Sequence, residues 1–387
     1  MSEIKVNSIK GVGASAAAIT VNNTDGTCTA NITNNLSNRR LTINGAMQVA
    51  QRGQTFNSVT TNTVTIDRFK WEQGGANNVA VFNVTQTSDA AREIGFENSL
   101  KAEVATVDAS LSSDHYSQFK YLIETNDIIR QSSYGLSTAK KMTLSFYVKC
   151  SVTGTFPLAL NNGSGSRSNP HIYTINSANT WERKTITFNG DTGGVWQSQT
   201  GNAAGFGIRW GLAVGSTYFG TADGAWAADS SYAKSYASYS NSLISTSGAT
   251  WELTGVQLEV SDHATDFEFR SFGQELALCQ RYYYVAIYSG NSGKSFANLS
   301  QYSASDSYGH LQFAATMRAS PTLEVVTGTN YYGAFGNAGV TYLNTLALTS
   351  AHQNGAEVNA ASSRGQGNAV WLRTNNANAQ IAFSAEL

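Results

Sequence analysis

The stretch WELTGVQLEV, residues 251–260, carries two carboxylates, Glu252 and Glu259, on the outward side of a predicted strand. Glycoside hydrolysis needs such a pair ~5 to 9.5 Å apart, although solvated strand carboxylates give the same pattern. Other catalytic constellations fail on spacing. Gly293-Lys294-Ser295 ends like a phosphate-binding loop, yet Tyr288 stands where that motif needs its first glycine. The five histidines, His115, His171, His263, His310 and His352, form no HExxH or HxH and read as surface or structural residues. No G-x-S-x-G elbow offers a serine nucleophile. Asp191 and Asp223 are weak candidates for a structural Ca²⁺, because their spacing matches no calcium loop. The sequence therefore assigns no catalytic residue, no metal and no cofactor, and an enzyme is not expected.

It does offer the chemistry of sugar recognition. Sugars stack their C–H faces on aromatic rings while their hydroxyls bond amides and hydroxyls. Residues 221–245, TADGAWAADSSYAKSYASYSNSLIS, set Trp226, Tyr232, Tyr236 and Tyr239 among Ser, Ala and Asn, and Tyr331 and Tyr332 lie in a Gly/Asn-rich stretch. These six are the candidate ligand-binding residues. The i, i+4, i+7 spacing of the three tyrosines fits a stripe on a short helix or a splayed loop, and packing beneath the loop or between subunits is the competing use.

Such residues need a scaffold, and the pattern here is β. Trp251 and Leu253 share one parity, and Val256, Leu258 and Val260 share the other. A β-bulge at Gly255 would bring all five to one buried face, with Glu252, Thr254, Gln257 and Glu259 outward. Met142, Leu144, Phe146, Val148 and Cys150 alternate with polar residues, as do Phe206, Ile208, Trp210, Leu212 and Val214 with glycines and Arg209. Further strands are predicted at 63–72, 78–86, 118–124 and 184–188. The fold class is all-β, with a carbohydrate-binding-module-like jelly-roll β-sandwich over 41–270. Ser271 then caps a short linking helix, 271–285, with Phe272, Leu276, Cys279 and Tyr283 on one face. A C-terminal β domain, 286–387, follows; Leu311, Phe313, Ala315 and Met317 point inward, and 322–326 returns beyond Pro321 as a hairpin partner.

Residues 1–40 hold only short apolar pairs, Ile4 with Val6 and Ile19 with Val21, and cannot fold alone. They read as an arm ordered by neighbouring chains or a docking partner. Only 13% of the 387 residues are charged, against ~25% in an average soluble protein. With 25 basic and 26 acidic residues the net charge is -1, so no field draws nucleic acid or anionic membrane. Cys28, Cys150 and Cys279 lie far apart and read as small buried side chains. No signal-like segment or long apolar run is present, so synthesis in a cytoplasm without membrane insertion is expected.

A set of motifs spread in order along most of the chain resembles the tail fibre proteins of marine and other tailed bacteriophages. They are NGAMQVAQRG (44–53), TIDRFKW (65–71), TLSFYVKCSVTGTF (143–156), YTINSANTWERKTITFNGDTGGVW (173–196), TGVQLEV followed by FEFR and GQELALCQRYY, MRASPTL (317–323) and FSAEL (383–387). Asp266 stands where the usual pattern has a proline before the FE pair. The resemblance implies a virion structural protein: a homotrimer attached to other tail proteins through residues 1–40, with Ile4, Val6, Ile19 and Val21 between chains, reading a host-surface glycan or receptor. The alternatives are a tail-spike polysaccharide hydrolase or lyase and a free lectin-like carbohydrate-binding protein.

Overall fold

The computed structural model describes residues 6–10, 19–21, 24, 28–30, 39–59, 62–76, 79–88, 91–196, 201–220, 224–228, 236, 238–290, 292–337 and 339–387. It is nearly all β, with two α-helices, α1 (Thr125–Ser132) and α2 (Phe272–Gln280), among the described residues. The main unit is an antiparallel sandwich. One sheet has six strands in the order Glu182–Phe188, Met142–Cys150, Thr250–Glu259, Ser99–Thr106, Val81–Thr87 and Thr55–Val59. The other has seven, running Ala227–Ala228, Arg167–Ile175, Gly154–Asn162, Ala204–Val214, Tyr116–Glu124, Lys70–Gly74 and Thr63–Val64. Alternate residues of both sheets meet in one core in which Trp71, Trp210, Trp251, Phe119 and Phe146 are fully buried. Truncating such a ring to alanine costs ~3 to 5 kcal/mol, so these aromatics hold the sandwich and are unavailable to ligand.

The bulge is present. Ser145 pairs with Gln257 but Tyr147 with Thr254, so one residue of Met142–Cys150 faces two of the partner strand, and Gly255 has φ 61°. Trp251, Leu253, Val256 and Leu258 all reach the core, and Val260 packs half-buried against it. The outward face differs from expectation, because Glu252, Thr254, Gln257 and Glu259 are buried too. Leu41 N donates to Leu258 O, Val256 N donates to Gly45 O, and the returning 265–270 segment covers the rest. There Phe96 meets Phe267 and Phe269 at ring-centroid distances of 5.0 and 5.3 Å, which gives the FEFR motif its packing role.

Other departures are local. The predicted strand 63–72 is split by a tight turn in which Phe69 N donates to Ile66 O and Arg68 takes φ 76°. Strands Ser99–Thr106, Gly154–Asn162 and Arg167–Ile175, together with α1, were not predicted. In α2 the capping box between Ser271 and Gln274 forms. Its inner face carries Cys279 and the carboxylate of Glu275, while Phe272 stays 57% exposed. Glu275 is drawn inward by charge: it accepts from Arg40 and, at 2.6 Å, from Asn44 N.

After α2 a smaller sandwich stacks strands Tyr283–Ile287, Ile381–Ser384 and Thr322–Val325 against a seven-stranded sheet. Leu311, Phe313 and Met317 are buried as expected. Thr322–Val325 pairs with Ile381–Ser384 rather than with the strand before Pro321. The motifs that hold Gln51, Asp67, Arg281, Arg318 and Glu386 converge between the sandwiches. Arg281 holds Glu124 through two bonds of 2.8 Å, Gln51 donates to Asp67 and to Tyr283 O, and Glu386 joins Arg52 and Arg68. Arg318 adds bonds to Asn202 O, Ala385 O and Glu386 O. Much of the motif set is thus the joint between two units.

Of the expected arm, the described strands Ser8–Ile9, Ile19–Val21 and Cys28–Ala30 form a small antiparallel sheet. Val6 and Ile9 are 46% and 54% exposed, and Ile19 and Val21 are half-buried. Ile4 and the Cys28 side chain lie outside the described residues.

Candidate glycan cleft

The seven-stranded sheet of the first sandwich presents its outer face to residues 216–220, 236 and 238–241. Gly215 permits the approach, because a Cβ there would stand 2.3 Å from both the Ser112 and Ser113 carbonyls. Gly215 N donates to His115 O and Thr217 N to Ser113 O, which binds this turn to the 108–115 loop. That loop rests on buried His115, whose Nδ1 is 3.2 Å from Asp108 and whose Nε2 is 3.1 Å from Ser117 Oγ. Burial lowers the His115 pKa, against the pull of Asp108.

The connection returns over the sheet at Tyr236, which bridges Phe219 in parallel and points its hydroxyl at Gln118. Beneath it, Gln118 and Lys120 hold Glu72 at 3.0 and 2.8 Å. Burial pushes the Glu72 carboxyl up, but the Lys120 ammonium and Gln118 outweigh it and leave it below the usual range. Tyr239 lies further out; its hydroxyl accepts from Val214 N at 2.7 Å and its ring meets Phe219 edge to face, 6.1 Å between centroids.

Between these segments lies an open cleft of about 490 Å³. Phe219, Tyr239 and the 38%-exposed Leu111 give it apolar surface, and Ser113, Ser216 and Ser240 bring exposed hydroxyls. Among the described residues, its lining contains no Asp or Glu. Two half-buried rings among hydroxyls can stack on a sugar and bond its hydroxyl rim.

The six candidate residues separate sharply. Tyr239 lines the cleft. Tyr236 is buried, contrary to expectation, because it anchors the connection to the sheet. Trp226 packs on the core instead of facing ligand, with Tyr134 and Trp196 edge to face at 5.9 and 5.2 Å and its indole N–H on Asn189 O. Tyr332 is fully buried, its hydroxyl within reach of Val326 O and Gln380 O. Tyr331 packs half-buried against the second core. Tyr232 lies outside the described residues. Phe219 and Leu111 were missed; the only signal for Phe219 was its place in GSTYFG, just beyond a strand end.

Among the described residues, neither other chemistry gathers a site. Glu252 is held by Lys149 and Ser99, and Glu259 by Thr265, so both are structural. Asp191 gives its oxygens to Arg167, Gly193 N and the Trp196 indole, which leaves none turned toward a cation; Asp223 lies outside the described residues.

No family model matches the chain, and no curated protein matches it by sequence. Among solved structures, it is similar to the enzymatically active domain of tailspike protein 4 of bacteriophage CBA120, at 15% identity and TM-score 0.31, covering 53% of this chain and 21% of that chain. The alignment thus spans about a fifth of the tailspike chain. A family 11 carbohydrate-binding module of the cellulosomal cellulase Lic26A-Cel5E of Clostridium thermocellum gives 12% identity and TM-score 0.26, covering 53% of this chain and 95% of that chain. TmCBM61 in complex with β-1,4-galactotriose gives 9% and 0.25, covering 49% and 88%.

Proposed function

We propose that this chain is a bacteriophage tail fibre subunit that binds host-surface glycan in the cleft between Phe219 and Tyr239. The observation that carries the reading is the cleft itself: two rings meeting edge to face beside exposed serine hydroxyls, on a rigid sheet. The motif set supplies the virion context. The reading is one of binding, carried by the rings and hydroxyls that line the cleft.

Attachment and trimer formation belong to the small N-terminal sheet. Its strands are two or three residues long, and Val6 and Ile9 leave apolar surface exposed, which neighbouring chains in a trimer or a tail protein would cover. The function is virion-borne adhesion.

The test is a glycan array of bacterial surface polysaccharides probed with wild-type protein and Tyr239→Ala. Wild-type binding that the variant loses supports the reading. Equal binding by both, or release of reducing sugar from a bound polysaccharide, overturns it. Light scattering checks the assembly, and a monomer of 41.3 kDa would refute the trimer.

A further inference from the structure

His310 and His352 are 42 residues apart in sequence, yet their Nε2 atoms are 3.3 Å apart. His310 is on strand Asp306–Gln312 and His352 ends strand Ala347–His352, with Gly355–Ala361 between them. The rings meet over Gly355, where a Cβ would come within 2.4 Å of the His310 ring. The ring planes differ by 17°, and the centroids are 5.4 Å apart against 3.3 Å for the nitrogens, so the imidazoles face each other through their Nε2 edges. Both side chains are exposed.

We propose that this pair is a two-nitrogen clip for a divalent transition-metal ion of the Cu²⁺ and Zn²⁺ class. With ~2.0 to 2.1 Å bonds, two nitrogens lie ~3.3 to 3.4 Å apart on a tetrahedral ion and ~2.8 to 3.0 Å apart as neighbouring ligands of a tetragonal Cu²⁺, so the 3.3 Å pair matches the first as it stands and reaches the second by a small turn of two exposed rings. Imidazole is a preferred donor for these ions. Asn354 N donates to His352 Nδ1 at 3.2 Å, which puts the proton of neutral His352 on Nε2 and directs it at His310. On binding, that ring releases the long Asn354 contact, gives up its Nε2 proton to water and takes one from water on Nδ1, and so turns an Nε2 lone pair to the ion. Glu357, opposite His310 in the ladder, adds a nearby negative charge, and water fills the remaining positions. The ion would tie the edge strand to the sheet interior across an intervening strand and stabilise the folded state that alone presents the bite.

The experiment is calorimetric titration of the full chain with CuCl₂ at neutral pH, with electron paramagnetic resonance of the loaded protein. Expected are a two-nitrogen signature and a loss of about tenfold or more in affinity for His310→Ala and for His352→Ala. His263→Ala, an exposed histidine beside Asp262, serves as the control and leaves binding unchanged. Gly355→Val keeps both histidines but crowds His310, and it weakens binding while a thermal melt confirms folding. A one-nitrogen signature, or unchanged affinity in either alanine variant, overturns the proposal.

Discussion

The guanidinium of Arg68 sits over the Tyr282 ring, 3.3 Å from its centroid, and so fastens a turn of the first sandwich to the end of α2. The same group reaches Glu386 at 2.7 Å and Leu122 O at 2.6 Å. Breaking a buried charge pair by removing one partner costs ~3 to 5 kcal/mol. Arg68→Ala is therefore expected to split calorimetric unfolding into two transitions, one for each sandwich. A single transition at the wild-type temperature would contradict this.

Gly255→Val should destabilise the first sandwich. The residue has φ 61°, and a Cβ would lie 2.7 Å from Phe96 and 2.9 Å from Tyr147. Backbone strain at such a site costs ~1 to 3 kcal/mol, with the clash added. Urea unfolding followed by tryptophan emission reads the shift; an unmoved midpoint would mean that the bulge tolerates a branched side chain.

Ligand contact and packing should come apart in a pair of aromatic variants. Phe219→Ala is expected to lower glycan affinity about tenfold, ~1.4 kcal/mol, with little change in melting. Trp226→Ala is expected to lower the melting temperature, because the ring packs against Trp196 and Tyr134. Parallel melting and binding curves decide; reversed effects would relocate the contact surface.

Glu182 predicts an acid dependence. Burial raises its carboxyl, but bonds from Lys184, the Ser177 and Asn176 amides and the Asn176 side chain outweigh this and bring it to about 2. A depressed folded value means that the contribution is complete above the unfolded value of ~4.3 and is lost as pH falls through about 2. The stability difference between wild type and Glu182→Gln should shrink over that window in urea titrations. A difference independent of pH would assign the effect to shape.

Period-two alternation exposed Met142–Cys150, Ala204–Val214 and Thr250–Glu259, because a half-buried sheet face writes itself into neighbouring residues. The Gly255 bulge and the Ser271 cap were legible for the same reason: each is a local event with a local signature. Burial of Glu275 was not, since its partner Arg40 lies 235 residues away. Nor does composition separate Tyr236 from Tyr239, as one is buried over Gln118 and the other stays half-buried at the cleft with its hydroxyl on Val214 N. The His310–His352 pair depends on two strands flanking a third, a relationship that sequence spacing does not encode.

The joint built by Arg52, Arg68, Arg281 and Arg318 has a mechanical consequence. A single linker would let one sandwich swing on the other when the chain is pulled. Here four guanidiniums from separate segments brace the two units in parallel through Tyr282, Tyr283, Glu124 and Glu386. Tension on one unit is shared among these braces, and yielding requires several to fail together, so the pair should transmit torque as a stiff rod segment.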